Sequence, residues 1–430
     1  MSRDSIVVVR PARNVAGSLR LPGDKSISHR YAMLAAIAEG TTRLENFSTG
    51  VDCASTLTCL KTLGVEWERK ENRVLIHGSG AKLHPPKLPL DCGNSGSTMR
   101  MLSGILAGQE FTSELIGDES LSRRPMARII IPLQTMGAKI VANDGGRPPL
   151  RITGGRLKGI DYKMPVASAQ VKSALLFAGL FADGETCVLE PVRTRDHGEL
   201  ALRAFGAQLK HRGNEARIAG GQQLQAIEAN IPGDLSSAAF FLCAAGLFRG
   251  SQLTITALLM NPTRARLLDI LISLGARISV TQLEEQHGEL RGTVRLEGGT
   301  LAGAIIAGAD TAALIDEIPI LAAIAPYTTT GVEIRDAREL RVKESDRIAA
   351  IAANLRAMGA QMEERDHGLR IPGGQKLRGA EIDSFGDHRI AMAFAVAALR
   401  AEGETTIRSA DAAGISYPGF FEALEHLLQR

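Results

Sequence analysis

The sequence predicts an α/β protein built from repeated units and folded as two lobes, and three observations carry that expectation. A helix-ending motif recurs five times, alternating strand patterns and glycine turns follow it, and two distant segments share a Pro-Gly-Asp turn. The motif reads Leu-x-x-(Leu, Met or Phe)-Gly-(Ala or Val) at Leu60–Val65, Leu133–Ala138, Leu202–Ala207, Leu271–Ala276 and Leu355–Ala360. Two apolar residues three apart share one helical face, and the glycine stops the helix just past its last turn. Gly64, Gly137, Gly206, Gly275 and Gly359 are separated by 73, 69, 69 and 84 residues. One copy is an ordinary helix terminator; five at near-even spacing predict a repeated architecture.

Stretches such as Arg73–Ile76 and Gly368–Ile371 alternate with the period of a half-buried strand. Gly154-Gly155, Gly220-Gly221, Gly298-Gly299 and Gly373-Gly374 supply the turns that end them. A sixth helix, Phe420–Leu428, matches the helical half of the unit, and Ile6–Val9 is a source for its missing strand. Leu21–Ser26 and Ile231–Ser236 each place a φ-fixing proline, a turn glycine and a capping Asp before an Ala-rich helix. They are expected as paired crossovers with hinges near 21–24 and 231–234. Residues 1–22 and 232–430 would form one lobe and 23–231 the other, with three repeats in each.

A length of 430 residues suits two or three domains of about 150 residues. The 50 Lys and Arg against 47 Asp and Glu leave +3, and 44% of residues are hydrophobic. Disorder and a global charge bias toward nucleic acid or membrane are excluded on those grounds. With one Trp, four Tyr and no basic run, base stacking has little material. Cys53, Cys59, Cys92, Cys187 and Cys243 show no C-x-x-C spacing, so no disulfide framework and no zinc site are expected. Cys53 and Cys59 read as small apolar fillers beside Leu57 and Leu60. The longest apolar segments, Ala174–Ala182 and Ile390–Leu399, fall short of the roughly 20 residues that span a bilayer. Met1–Ser5 lead into Ile6 without the apolar stretch of a signal peptide, so a soluble, cytoplasmic chain is expected.

Five helix starts share one chemical pattern of small or capping residues followed by a basic side chain: Gly23–Arg30, Gly93–Arg100, Ser168–Ser173, Lys343–Arg347 and Gly386–Arg389. A helix N-terminus presents unpaired N–H groups and about half a positive charge, which suits phosphate or carboxylate. Adding Lys or Arg there concentrates positive charge while the whole chain stays near neutral. Lys343 and Arg347, four apart, are expected on one helical face. Asp316-Glu317 interrupts an apolar run from 312 to 325, where a carboxylate needs a cation or a hydrogen bond. Glu344 is the second candidate acid or base.

Taken in order along the chain, Leu21–Arg30, Gly93–Gly96, Arg124-Pro125, Ser168–Gln170, Asp316-Glu317, Lys343–Arg347 and Gly386–Arg389 resemble the 5-enolpyruvylshikimate-3-phosphate synthase family of enolpyruvyl transferases. The resemblance covers essentially the whole chain. It implies a two-lobed inside-out α/β barrel of six β-α-β-α-β-β units, three per lobe, with helix N-termini facing the interlobe cleft. It also implies transfer of the enolpyruvyl group of phosphoenolpyruvate to the 5-hydroxyl of shikimate 3-phosphate, on the route to chorismate and aromatic amino acids. Lys25, Ser26, Arg30, Ser168, Ala169, Gln170, Arg195, Asp316 and Lys343 would bind shikimate 3-phosphate. Lys25, Asn94, Gly96, Arg124, Gln170, Arg347 and Arg389 would bind phosphoenolpyruvate. Asp316, Lys25, Glu344 and His388 would move protons.

The resemblance implies no cofactor and no metal, since Arg, Lys and helix ends do the charge work. No nucleic-acid or membrane partner is implied, and a monomer is expected. Gly96, where some members have Ala, keeps room beside the phosphoenolpyruvate site. The related UDP-N-acetylglucosamine enolpyruvyl transferases carry a Cys before an Arg-Pro, and Gly117–Pro125 has none. A nucleic-acid-binding protein and a non-catalytic anion-binding regulator are the readings from other classes. Asp316 with Glu344 speaks against the second of these.

Overall fold

The computed structural model describes residues 5–430; Met1–Asp4, part of the start read above as leaderless, lie outside the described residues. The helix-ending motif has one local structure in all five copies. Gly64, Gly137, Gly206, Gly275 and Gly359 have φ of 84°, 118°, 91°, 102° and 84°. The amide after each glycine donates back to the first leucine, from Val65 to Leu60 at 3.0 Å and from Ala276 to Leu271 at 2.9 Å, for example. That bond satisfies a carbonyl the helix end would leave open, and the positive φ excludes most side chains at the glycine.

Among the described residues, six sheets follow one plan. An entering strand runs parallel to a central strand, which then pairs antiparallel with an arm of a hairpin. Leu90–Asp91 lies parallel to Thr112–Ile116, which pairs with Arg147–Thr153 of the hairpin 139–153. Asp161–Lys163, Glu185–Leu189 and Glu215–Ala219 repeat the order. So do Ala304–Ile306, Val332–Ile334 and Gly368–Ile371. In the sixth sheet Ile6–Val9 takes the hairpin's place, antiparallel to Thr405–Arg408 with Ile6 opposite Arg408. Parallel neighbours require a crossover, and a buried helix supplies it.

The chain divides into two compact units. Unit 1 holds residues 1–22, 232–284 and 290–430, and unit 2 holds 23–231 with 285–289, which lie inside the hairpin strands Arg277–Gln286 and Glu289–Glu297. Within each unit two kinds of helix alternate. Lys25–Ile37, Gly96–Ala107 and Ala169–Gly179 in unit 2 are buried on nearly every side, as are Leu235–Gly246, Ile318–Ile324 and His388–Ala398 in unit 1. A helix buried all round must be apolar all round, hence their Ala-rich composition. Helices such as Arg266–Ser273 and Phe420–Leu427 bury one face only. Small residues also let helix backbones touch: a Cβ at Gly104 would lie 2.0 Å from the Ala174 carbonyl oxygen. That contact fixes helix 96–107 against helix 169–179 and so fixes the separation of their first turns. All five cysteines are free and buried.

Candidate functional site

In unit 2 the first turns of three buried helices are joined by hydrogen bonds. Each is capped by a side chain: Asp24 Oδ1 accepts from Ile27 N at 2.9 Å, Ser95 Oγ from Thr98 N at 3.1 Å, and Ser168 Oγ from Val171 N at 3.4 Å. Capping fixes where each helix begins and aims the remaining N–H groups outward. Lys25 opens the first helix, its Nζ 2.9 Å from Asp52 Oδ2. Arg30, only 3% exposed, sits one turn further on. Its Nη1 donates to Ser26 O at 2.9 Å, its Nε to Ser173 Oγ at 3.1 Å and its Nη2 to Ala169 O at 3.3 Å. Burial pulls the Arg30 guanidinium down to about 10, opposed by Glu199 and reinforced by Arg195. The group stays charged at neutral pH.

Gln170 links the second and third helix starts. Its Oε1 accepts from Arg100 Nη1 at 2.9 Å and its Nε2 donates to Ser97 Oγ at 2.8 Å. Arg124 Nη2 donates to Asn94 Oδ1 at 2.7 Å and to Ser120 Oγ at 3.1 Å, while Asn94 Nδ2 donates to Asp118 Oδ2 at 2.8 Å. A Cβ at Gly96 would lie 2.7 Å from Arg100 Nη1 and 3.4 Å from Arg124 Nη1. The absence of a side chain at Gly96 lets the Arg100 guanidinium come close to this helix start, with that of Arg124 at van der Waals distance. Unit 2 thus brings together Lys25, Ser26, Arg30, Asn94, Gly96, Arg124, Ser168, Ala169 and Gln170, with Arg195 close enough to Arg30 to repel it.

Arg100, the basic side chain of the helix start Gly93–Arg100, joins this cluster although no substrate was assigned to it, and Asp52 was missed from sequence. Arg100 has a legible signal, because it follows Gly96 by the same four positions that separate Arg30 from Ser26, one helical turn. Asp52 has none. Lys172 is corrected in the opposite sense: expected as the cation of an anion-binding helix start, it is instead fully buried against Glu190 and Glu199.

In unit 1 the corresponding residues form a web of ion pairs. Asp316 and Glu317 occupy the turn between the short helix Ala309–Ala313 and the helix Ile318–Ile324. Arg389 Nη1 donates to Asp316 O at 2.6 Å, and its Nη2 lies 3.9 Å from Asp316 Oδ2. Buried Glu317 accepts from the Ser236 hydroxyl, which also accepts from Arg264 Nη2 at 2.6 Å. Arg347, 1% exposed, donates from Nε to Asp387 Oδ2 at 2.8 Å and from Nη2 to Glu344 Oε2 at 2.6 Å. Its Nη1 is 3.6 Å from Asp316 Oδ1. Burial disfavours the Arg347 charge, but Asp387, Glu344 and Asp316 outweigh it and raise the guanidinium above its ordinary value. Asp387 also caps the helix His388–Ala398, accepting from Arg389 N at 2.9 Å, and His388 is buried in its first position.

Half-buried Lys343 is held below the ordinary lysine value by removal from water, against the pull of Asp316 and Glu339. It does not share a helical face with Arg347. Asp346 accepts from Ala349 N at 3.0 Å and starts the helix Arg347–Ala357, so Lys343 stays in the preceding turn. A capping aspartate overrode the helical spacing read from sequence. Unit 1 therefore brings together Asp316, Lys343, Glu344, Arg347, His388 and Arg389. Chemically, unit 2 offers a dense positive field aimed by helix starts, and unit 1 offers carboxylates beside cations that could pass protons. Among the described residues no group of three or more His, Cys, Asp or Glu side chains is placed to hold a metal ion, and no helix is long and apolar enough to cross a membrane.

Comparison with known proteins identifies the family over nearly the whole chain. The family model described as EPSP synthase (3-phosphoshikimate 1-carboxyvinyltransferase) matches residues 9–424. The chain is 60% identical over 425 residues to the 3-phosphoshikimate 1-carboxyvinyltransferase of Koribacter versatilis, covering 99% of both chains. It is 55% identical over 422 residues to that of Solibacter usitatus, covering 98% of this chain and 99% of the relative. Among solved structures, EPSP synthase from Acinetobacter baumannii superposes with a TM-score of 0.87 at 42% identity over 98% of both chains. The enolpyruvyl transferase NikO from Streptomyces tendae gives 0.80 at 19% identity over 99% of this chain and 98% of its own, a likeness of fold. The mixed α/β fold is that of the enolpyruvyl transferases, and the chain belongs to the EPSP synthase (3-phosphoshikimate 1-carboxyvinyltransferase) family.

Proposed function

We propose that this chain carries out its family's reaction with the residues assembled above: transfer of the enolpyruvyl group of phosphoenolpyruvate to the 5-hydroxyl of shikimate 3-phosphate, releasing phosphate in aromatic amino acid biosynthesis. The observation that carries the reading is the 60% identity over 99% of both chains. The cations and carboxylates within each unit supply its chemistry. The 5-hydroxyl adds to C2 of phosphoenolpyruvate as its proton passes to Asp316, and C3 is protonated by Lys25 or Glu344, with His388 assisting. The tetrahedral adduct then loses phosphate from C2 and a proton from C3, which restores the double bond. A base and an acid are both required because one step removes a proton while another adds one.

Binding follows from charge. Two anionic substrates repel one another, and cations must offset that before reaction. In this reading Lys25, Ser26, Arg30, Ser168, Ala169, Gln170, Arg195, Asp316 and Lys343 take shikimate 3-phosphate. Lys25, Asn94, Gly96, Arg124, Gln170, Arg347 and Arg389 take phosphoenolpyruvate, where the planar guanidinium fork fits phosphate and carboxylate. The finer architecture we propose is the two-lobed inside-out α/β barrel, with the two units as its lobes. A monomer working in the cytoplasm is part of the same proposal. Phosphate release with phosphoenolpyruvate and either shikimate 3-phosphate or UDP-N-acetylglucosamine tests the assignment. Turnover with the first acceptor alone is expected; turnover with the second, or with neither, rejects it.

A further inference from the structure

We propose that the buried trio Lys172, Glu190 and Glu199 is a positioning device that presets Arg195 and Arg30 for the phosphate of shikimate 3-phosphate; this rests on the reading that those two arginines meet that phosphate. Lys172 lies two residues beyond Gln170 in helix 169–179, with its Nζ 2.8 Å from Glu190 Oε2 and 2.6 Å from Glu199 Oε1. The three side chains are 1% to 2% exposed. An ammonium held by two carboxylates is closed to an anionic ligand, so this helix start leaves phosphate to cations from other segments.

What the trio does is hold the chain that carries Arg195. Glu190 accepts from the Thr194 hydroxyl and from Thr194 N at 3.4 Å, which folds 190–194 back on itself. On the other side of Arg195, buried His197 Nδ1 lies 2.6 Å from Glu289 Oε1. Arg195 therefore sits between two anchored residues, Thr194 and His197, although 191–193 ahead of them are exposed. Glu199, in helix His197–Ala204, connects the same lysine to Arg30. A Cβ at Gly198 would lie 2.5 Å from Ser173 Oγ and 3.6 Å from Arg30 Nε, so this helix start packs directly on the arginine. Glu199 is also the strongest attraction acting on the Arg30 charge.

One ammonium and two carboxylates carry a net charge of −1, which offsets part of the repulsion between Arg30 and Arg195 before a ligand arrives. Burying such a group contributes little stability, because desolvation cancels most of the attraction. It does hold one geometry, and a preset pair of guanidinium groups loses less freedom when phosphate binds.

The test compares steady-state constants for both substrates in Thr194→Ala, Thr194→Ser, Glu190→Gln and Arg195→Ala, alongside thermal melts. Thr194→Ala and Glu190→Gln are expected to raise KM for shikimate 3-phosphate by about tenfold, the net worth of roughly one hydrogen bond. KM for phosphoenolpyruvate and kcat should stay within about twofold, and Thr194→Ser, which keeps the hydroxyl, should restore the wild-type value. Thr194→Ala removes a partly exposed group and should melt like the wild type, so it remains informative if Glu190→Gln fails to fold. An unchanged shikimate 3-phosphate KM in Thr194→Ala, while Arg195→Ala raises it, overturns the positioning role. Equal rises in both KM values overturn it too, as the sign of general loosening. An unaffected KM in Arg195→Ala instead overturns the assignment of Arg195 to the phosphate.

Discussion

In unit 2 the cations Lys25, Arg30, Arg100, Arg124 and Arg195 face few carboxylates, Asp52 beside Lys25 and Glu199 acting on Arg30, whereas in unit 1 Lys343, Arg347 and Arg389 stand among Asp316, Glu344 and Asp387. Arg30 and Arg124 donate to carbonyl, amide and hydroxyl oxygens. Arg347 donates to carboxylates. A neutral acceptor orients a guanidinium without cancelling its charge, so the field is kept for an anionic ligand. A carboxylate cancels the charge but adds groups that can accept protons. On this comparison, loss of Arg124 from unit 2 should weaken substrate binding, and loss of Asp316 from unit 1 should slow the chemical step.

The largest expected effect is at Asp316, which both Arg347 and Arg389 approach. Asp316→Asn keeps the shape and removes the proposed base, so kcat should fall by ~10²–10⁴-fold. KM for shikimate 3-phosphate should change by less than about threefold. A near-normal kcat in the phosphate-release assay would remove Asp316 from proton transfer and erase the contrast between the units. Arg124→Ala comes next and should act in the opposite way. Losing charge-assisted hydrogen bonds worth ~1.5–3 kcal/mol corresponds to about a 10–100-fold rise in KM for phosphoenolpyruvate, with a smaller change in kcat. If kcat alone fell, Arg124 would be acting in chemistry rather than in binding.

Legibility from sequence differed between the fold and the site for a physical reason. The five helix ends were readable because everything they need is local: two leucine-type residues three apart, then a glycine at positive φ. Asp24, Ser95, Ser168, Asp346 and Asp387 cap helices for the same reason, each accepting from an amide two or three residues on. The site contacts that were missed are long-range. Lys172 is neutralised by Glu190 and Glu199, 18 and 27 residues later, and no local pattern announces that pairing. Lys25 finds Asp52 across a strand and a turn. Lys343 was misplaced because two local signals competed, a helical four-residue spacing and a capping aspartate, and the cap prevailed.

Lys343 is the unit 1 cation proposed to bind shikimate 3-phosphate, and it gives the smallest but sharpest test. Removal from water lowers its ammonium below the ordinary lysine value, more strongly than Asp316 and Glu339 raise it. The charged form binds an anion, so affinity is full below the depressed value and is lost as pH rises through it. The kcat/KM for shikimate 3-phosphate, which reports the free enzyme, should therefore fall on the alkaline side before ordinary lysines titrate, by up to about tenfold per pH unit. Lys343→Arg keeps a charge that does not titrate in this range and should flatten that limb even if its plateau is lower. Phosphoenolpyruvate at saturating shikimate 3-phosphate should show no matching limb. An alkaline limb of the same position in Lys343→Arg would assign the titration to another group.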